Sequence, residues 1–197
     1  MTTNEQDVGV EALDIDPNED EPNAGRNAFE WLIVVVSAVV FALLLRTFVL
    51  AAFWIPSASM EPTLEIKDRV LVNKLSYSVG DVKRGDIIVI EREEVTPGQT
   101  KDLIKRVVAL SGETVEIRDD QVFVDGDPVD ESEYLGDDVP ENEFGPEKIP
   151  EGHVFVLGDN RPKSDDSSGS LGPIRESQIV GKAFVRFWPI DRVGGVD

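Results

Sequence analysis

In Leu103-Ile104-Lys105-Arg106-Val107-Val108-Ala109-Leu110, apolar residues dominate, three of them β-branched, no Gly or Pro breaks the run, and two cations stand side by side. That composition favours an extended strand over a helix. Alternation puts Lys105 on one face with Leu103 and Val107, and Arg106 on the other with Ile104 and Val108. On this pattern alone Lys105 is either a surface lysine on an edge strand or a lysine buried among apolar neighbours.

Runs of the same kind lie on both sides. Arg69–Val72, Asp86–Ile90, Thr114–Ile117, Gln121–Val124, His153–Leu157 and Ala183–Phe187 read as strands separated by turn signals. Residues 113–117 and 121–124 are expected to form a hairpin about Asp119-Asp120. No amphipathic helix of ordinary length stands out after residue 56. The body, residues 53–197, is therefore expected to be mainly β, an antiparallel, barrel-like domain. A loop-rich excursion falls at about 125–152, where acids, Pro and Gly cluster, and Asp159–Gly172, rich in Ser, Asp and Gly, reads as a second loop.

Towards the N-terminus the character changes. From Trp31 to Leu45 only Ser37 is polar, and after Arg46 the segment from Thr47 to Ile55 is again mostly apolar. Fifteen helical residues rise only about 22 Å, whereas a bilayer core of roughly 30 Å needs the helix to continue to about residue 50, with Arg46 snorkelling. One transmembrane α-helix is expected over residues 29–52. A cleavable signal peptide would carry a short basic leader, but residues 1–30 hold nine acids against Arg26. Residues 1–28, polar and acidic, cannot bury enough apolar surface to offset ordering entropy, and are expected to be a disordered tail.

The 197 residues include no Cys and a single His, His153. Disulfides, thiol nucleophiles and multi-histidine zinc sites are thereby excluded, and no cofactor or metal is expected. A net charge of -20 argues against nucleic acid as a partner. The acidity extends beyond the tail, as in surfaces that stay solvated under strong screening at high salt.

Serine does not ionise at neutral pH and needs a base to become a nucleophile. Ser57-Ala58-Ser59-Met60-Glu61-Pro62-Thr63 offers two hydroxyls directly after the long apolar segment. His153 opens an apolar strand, where a lone histidine is usually structural. A lysine serves instead if burial strips its ammonium of hydration and lowers its pKa, and Lys105 is the lysine best placed for that.

Four segments together resemble the bacterial type I signal peptidases, the Ser/Lys family of leader peptidases. They are Ser57–Thr63 behind Ile55-Pro56, Arg84–Val89 with its Gly85-Asp86, Ile104–Val108, and Gly158-Asp159-Asn160-Arg161 followed by Ser164 and Asp166-Ser167. The resemblance implies Ser59 as nucleophile, Lys105 as general base and Ser57 as oxyanion donor beside the Ser59 backbone N–H. It implies that Ser164 orients the Lys105 amine, that Asp159 pairs with Arg106, and that Asp166 holds the loop carrying Ser164. Ile55, Pro56, Leu64 and Ile104 match positions lining shallow apolar pockets for small residues, hence Ala-x-Ala-like sites in the signal peptides of exported preproteins. Phe53 and Trp54 would sit at the bilayer interface.

The same resemblance implies a single-pass protein of the plasma membrane in contact with lipid and near the export machinery, its N-terminus cytoplasmic and its catalytic body on the exported face. Two positions depart from the family pattern. Pro162 replaces an acidic residue, and Ser168 replaces the arginine that normally pairs with the aspartate at Asp166, leaving Arg175 or Lys163 as substitutes. The lysine segment also continues as Ala109-Leu110-Ser111-Gly112-Glu113 where Gly, Pro and Asp are common. Two other functions fit parts of the pattern: a Ser/Lys protease that cleaves itself, for example at Ala24-Gly25, and a non-enzymatic membrane-tethered β module.

Overall fold

The computed structural model describes residues 24–92, 101–135 and 143–196, with side chains in the first helix described from Phe29 on, Arg46 excepted. Much of the acidic tail expected over 1–28, and the expected snorkelling of Arg46, lie outside these residues. The chain divides into two compact units, residues 1–42 and 43–197.

Helix α1 spans Ala24–Phe48. Its apolar side chains from Trp31 to Leu45 are exposed, and Ser37 Oγ turns back to donate to the Val34 carbonyl at 2.9 Å. Among the described residues no helix is long and apolar enough to cross a membrane; the described side chains from residue 29 to 45 cover about 25 Å at about 1.5 Å per residue.

Helix was expected as far as residue 52, but Leu50–Trp54 is a strand, β1. An apolar run carries the same signal for either state, and here pairing decides. β1 lies antiparallel to β2 (Arg69–Asn73), with Leu50 opposite Asn73 and Trp54 opposite Arg69. The remaining strands are β3 (Ile87–Glu91), β4 (Asp102–Ala109), β5 (Thr114–Arg118), β6 (Gln121–Val124), β7 (Asp127–Pro128), β8 (Phe144–Lys148), β9 (His153–Leu157), β10 (Ile174–Arg175), β11 (Ile179–Trp188) and β12 (Gly194–Gly195). The only α-helix described after β1 is α2, the four residues Ser76–Val79.

The larger sheet runs β1-β2-β11-β3-β4-β9-β10, with β12 on β11, and the smaller runs β7-β6-β5-β8. Every described pairing is antiparallel. The larger path has two ends, β1 and β10, so among the described residues hydrogen bonding does not close it into a ring. The β5–β6 hairpin forms as expected, Arg118 opposite Gln121. Asp119 and Asp120 both take positive φ, 49° and 60°, the backbone that a two-residue hairpin turn requires and Asp tolerates. The excursion at 125–152 contributes β7 and β8, the latter paired with β5 despite its Gly145-Pro146.

Strand β4 lies between β3 and β9. Both its faces are covered, since Ile104 packs with Ile55, Met60 and Leu64, whereas Val107 packs with Ile88 and Val156 in a separate cluster. A centrally placed strand removes the edge-strand reading of Lys105.

Candidate active site

Three segments build the site, and each is positioned by its strands. The first is the connection between β1 and β2. Ile55 N donates to Asp68 O and Lys67 N to Ile55 O, both at 2.9 Å, closing the connection at its base. Met60 and Leu64, fully buried, fasten it to the core, and Leu64 N donates to Met60 O at 2.8 Å. Ser59 is held 7% exposed, while Ser57 beside it is exposed. Their hydroxyl oxygens are 3.4 Å apart.

The second segment is β4. Lys105 is 2% exposed and stands opposite Ile88. Burial among apolar neighbours lowers its amine pKa to about 8; Asp166, Asp165 and Asp159 oppose that shift, and Arg92 adds to it.

The third is the loop after β9, which meets both of the others. Asn160 N donates to Ser59 O at 3.1 Å. Gly158 permits the closest approach, because a Cβ there would fall 2.3 Å from Ser164 Oγ and 2.4 Å from Ser59 O. The loop's carboxylates are the ones that act on Lys105. Ser59, Ser164 and Lys105 are thus gathered round one loop. Ser59 Oγ is hydrogen-bonded to Ser57 rather than to Lys105, and Ser164 Oγ is buried without a partner among the described residues. Catalytic hydrogen bonds are often longer before substrate binds.

Gly158→Ala is expected to leave the strands folded and to lower peptidase activity by about 10²-fold, because a backbone carbonyl cannot yield to the new methyl and the loops must separate by on the order of 1 Å. Circular dichroism beside a cleavage assay checks this. Wild-type rates in the alanine variant would show that the close approach is not needed.

Arg106 locks the three segments together. Its Nε donates to Asp159 Oδ1 at 2.9 Å and its Nη2 to Oδ2 at 2.8 Å, while Thr63 Oγ1 donates to the same Oδ2 at 2.6 Å. Arg106 Nη1 donates to Gly85 O at 3.0 Å. Gly85 takes φ of 90° to present that carbonyl, a conformation costly for any other residue. Asp86 next to it accepts from Tyr77 Oη at 3.0 Å and from Lys182 Nζ at 2.7 Å.

At the departures from the family pattern the structure substitutes local bonds. Asp166 Oδ1 accepts from Ser168 Oγ at 2.8 Å and Ser168 N at 3.2 Å, and its Oδ2 accepts from Gly158 N at 3.0 Å. Ser168 itself therefore occupies the carboxylate that the absent arginine would have bound. Pro162 lies in a short 3-10 turn, Arg161–Lys163. Glu113, after the lysine segment, accepts from Leu110 N at 2.7 Å and pairs with Arg84 at 2.8 Å.

Of the expected pocket residues, Ile55, Leu64 and Ile104 are buried in one cluster, and Pro56 is exposed. Several supports carry no local signal in the sequence: Arg186, whose Nη1 donates to Thr63 O at 2.8 Å, Asp68, which pairs with Arg192 at 3.1 Å, and Glu131, which pairs with Arg161 at 2.5 Å. Their partners are far away in the chain, so spacing could not reveal them.

A profile of the family described as signal peptidase, peptidase S26, matches residues 28–188. The chain belongs to this family. It is 42% identical over 182 residues to Signal peptidase I of Leptolyngbya laminosa, covering 90% of this chain and 88% of that protein. Against Signal peptidase I of Bacillus licheniformis the identity is 36% over 188 residues, covering 91% of this chain and 98% of the relative. A signal peptidase I crystal structure from Enterococcus faecalis V583 aligns at 31% identity with a TM-score of 0.44, over 53% of this chain and 97% of that one. The chain is accordingly an enzyme, a serine-type peptidase, and the non-enzymatic module is set aside.

Proposed function

We propose that this family member removes signal peptides from exported preproteins through a Ser59/Lys105 dyad while anchored in the plasma membrane by α1. One observation carries the reading: Lys105 is almost fully buried, its pKa brought to about 8, beside the loop that contacts Ser59. A lysine near neutrality is a general base at ambient pH, and an ordinary exposed lysine is not.

In the proposed reaction Lys105 Nζ takes the Ser59 hydroxyl proton as Oγ attacks the scissile carbonyl. The Ser57 hydroxyl and the Ser59 backbone N–H stabilise the oxyanion. Collapse of the tetrahedral intermediate expels the amine of the mature protein, protonated by Lys105, and leaves the signal peptide acylated on Ser59. Water, deprotonated by Lys105, then releases the signal peptide. Ser164 Oγ, without a partner among the described residues, is available to orient the amine. Ile55, Leu64 and Ile104 are buried in one cluster beside the exposed Pro56, and an apolar lining of this kind suits small side chains and so Ala-x-Ala-like sites.

The exposed apolar side chains of α1 support the anchor; the orientation, N-terminus cytoplasmic and β body on the exported side, rests on the family resemblance. Its first turn contains Ala24-Gly25, whose helical backbone is unsuited to a peptidase that takes extended substrate, which disfavours self-cleavage there. Preprotein cleavage by the full chain in detergent, wild type beside Ser59→Ala, tests the reaction and nucleophile together, and protease accessibility of the β body in intact cells tests the topology.

A further inference from the structure

Residues 129–135, within the excursion, lie outside the four motifs Ser57–Thr63, Arg84–Val89, Ile104–Val108 and Gly158–Ser167, yet two of their side chains reach the arginines of the site. Val129 N donates to Val122 O at 2.9 Å, fixing the segment to β6. The backbone then turns, with Tyr134 N and Leu135 N both donating to Glu131 O at 3.2 and 3.1 Å. Asp130 Oδ1 caps the turn by accepting from Ser132 Oγ at 2.7 Å. Glu131 and Tyr134 therefore share one side of it. Tyr134 Oη donates to Glu131 Oε1 at 2.9 Å.

From that side Glu131 Oε1 accepts from Arg161 Nη2 at 2.5 Å, the two side chains being 6% and 4% exposed. Arg161 Nε donates to Gly158 O at 3.0 Å, and its Nη1 is buried without a partner among the described residues. The guanidinium is thus held by Gly158 on one side and Glu131 on the other. Gly158 is the residue against which Ser59 O and Ser164 Oγ lie. Tyr134 meanwhile covers Arg106, ring centroid to guanidinium carbon 3.9 Å, a desolvated cation–π contact. One turn holds both arginines that fasten the loop after β9.

We infer that Glu131, assisted by Tyr134, is a positioning residue for peptide cleavage: it sets the place of the 158–166 loop against Ser59 by fixing Arg161. This rests on the Ser59/Lys105 reading. Without Glu131 the buried guanidinium loses its counter-ion, and a buried uncompensated charge moves to water or to another carboxylate. Either movement draws on the Gly158 carbonyl. The nucleophile and Ser164 then shift relative to each other while the binding surface at Pro56 stays as it was, so kcat should fall and KM should not.

The test is steady-state cleavage of a preprotein by the full chain in detergent, with thermal midpoints measured beside it. Glu131→Ala is expected to lower kcat about tenfold or more, a misplacement effect, with KM within about twofold. Glu131→Gln keeps an acceptor without the charge and should fall between alanine and wild type. Because loss of a buried charge also destabilises, the deciding variant is Glu131→Leu with Arg161→Met, in which an apolar pair replaces the ionic one. It should recover the thermal midpoint without recovering kcat. Recovery of both would make the pair merely structural and overturn the inference, as would an unchanged kcat in Glu131→Ala. If Ser59→Ala cleaves as well as wild type, the dyad reading itself has failed, whatever Glu131 does.

Discussion

Lys105→Met and Ser59→Ala each lower preprotein cleavage by about 10³-fold or more, the size expected when a general base or a nucleophile that acts as part of a unit is removed. The two variants separate in stability. Ser59→Ala deletes a hydroxyl whose partner, Ser57, is itself exposed, and its melting temperature should scarcely move. Lys105→Met should melt higher than wild type at neutral pH. The folded-state pKa of Lys105 is about 8, against an ordinary 10.5. Below pH 8 both folded and unfolded chains carry the proton, and the folded state bears the full cost of burying it. As pH rises from 8 to 10.5 the folded state deprotonates first, so stability increases across that window and is complete above it. Met fills a similar volume without the charge, removing a cost of up to about 3 kcal/mol at pH 7. The same titration shapes the rate: in wild type kcat/KM should climb with pH to a plateau above about 8, because only neutral Lys105 can accept the Ser59 proton. Equal stability of Lys105→Met and wild type at pH 7, or a rate flat from pH 6 to 9, would remove Lys105 as a desolvated base.

That lysine also marks where the sequence was legible and where it was not. Strands rich in β-branched residues declared themselves, and β9 falls on the very residues that the pattern marked, His153–Leu157. β1 did not, because Leu50–Trp54 continues an apolar helix without a break and only its pairing with β2 makes it a strand. For Lys105 the alternation identified the face but not its burial, since each face of β4 is covered by a packing cluster built from residues remote in sequence. At Ser168 the missing arginine left an open question that local geometry answers with a hydroxyl and a backbone N–H, bonds that sequence spacing does not report. Glu131 was hidden in an acid-rich excursion, where one buried carboxylate looks like its exposed neighbours.

The Arg106–Asp159 pair should give the largest loss of stability. Both side chains are nearly inaccessible, 3% and 1% exposed, and the bond is a two-pronged fork. Removing one member leaves the other charged, buried and unpaired, so Arg106→Met or Asp159→Asn should each cost about 3–5 kcal/mol. The consequences differ by partner. In Asp159→Asn the amide oxygen can still accept from Thr63, but one of the carboxylates that raise the Lys105 pKa is gone, so whatever activity survives should reach its plateau at lower pH than in wild type. In Arg106→Met the carboxylate keeps Thr63 Oγ1 but loses both charged donors, and Gly85 O and the Tyr134 ring lose their cation. Combining Arg106→Met with Asp159→Leu removes both charges, and the double variant should be markedly more stable than either single one. It should not regain activity, because the bonds that join β4, the β1–β2 connection and the loop after β9 are then absent together. Chemical denaturation of the four proteins beside preprotein cleavage measures both effects. Single variants within about 1 kcal/mol of wild type, the range of a solvent-exposed ion pair, would show that the fork is not what holds the site in place.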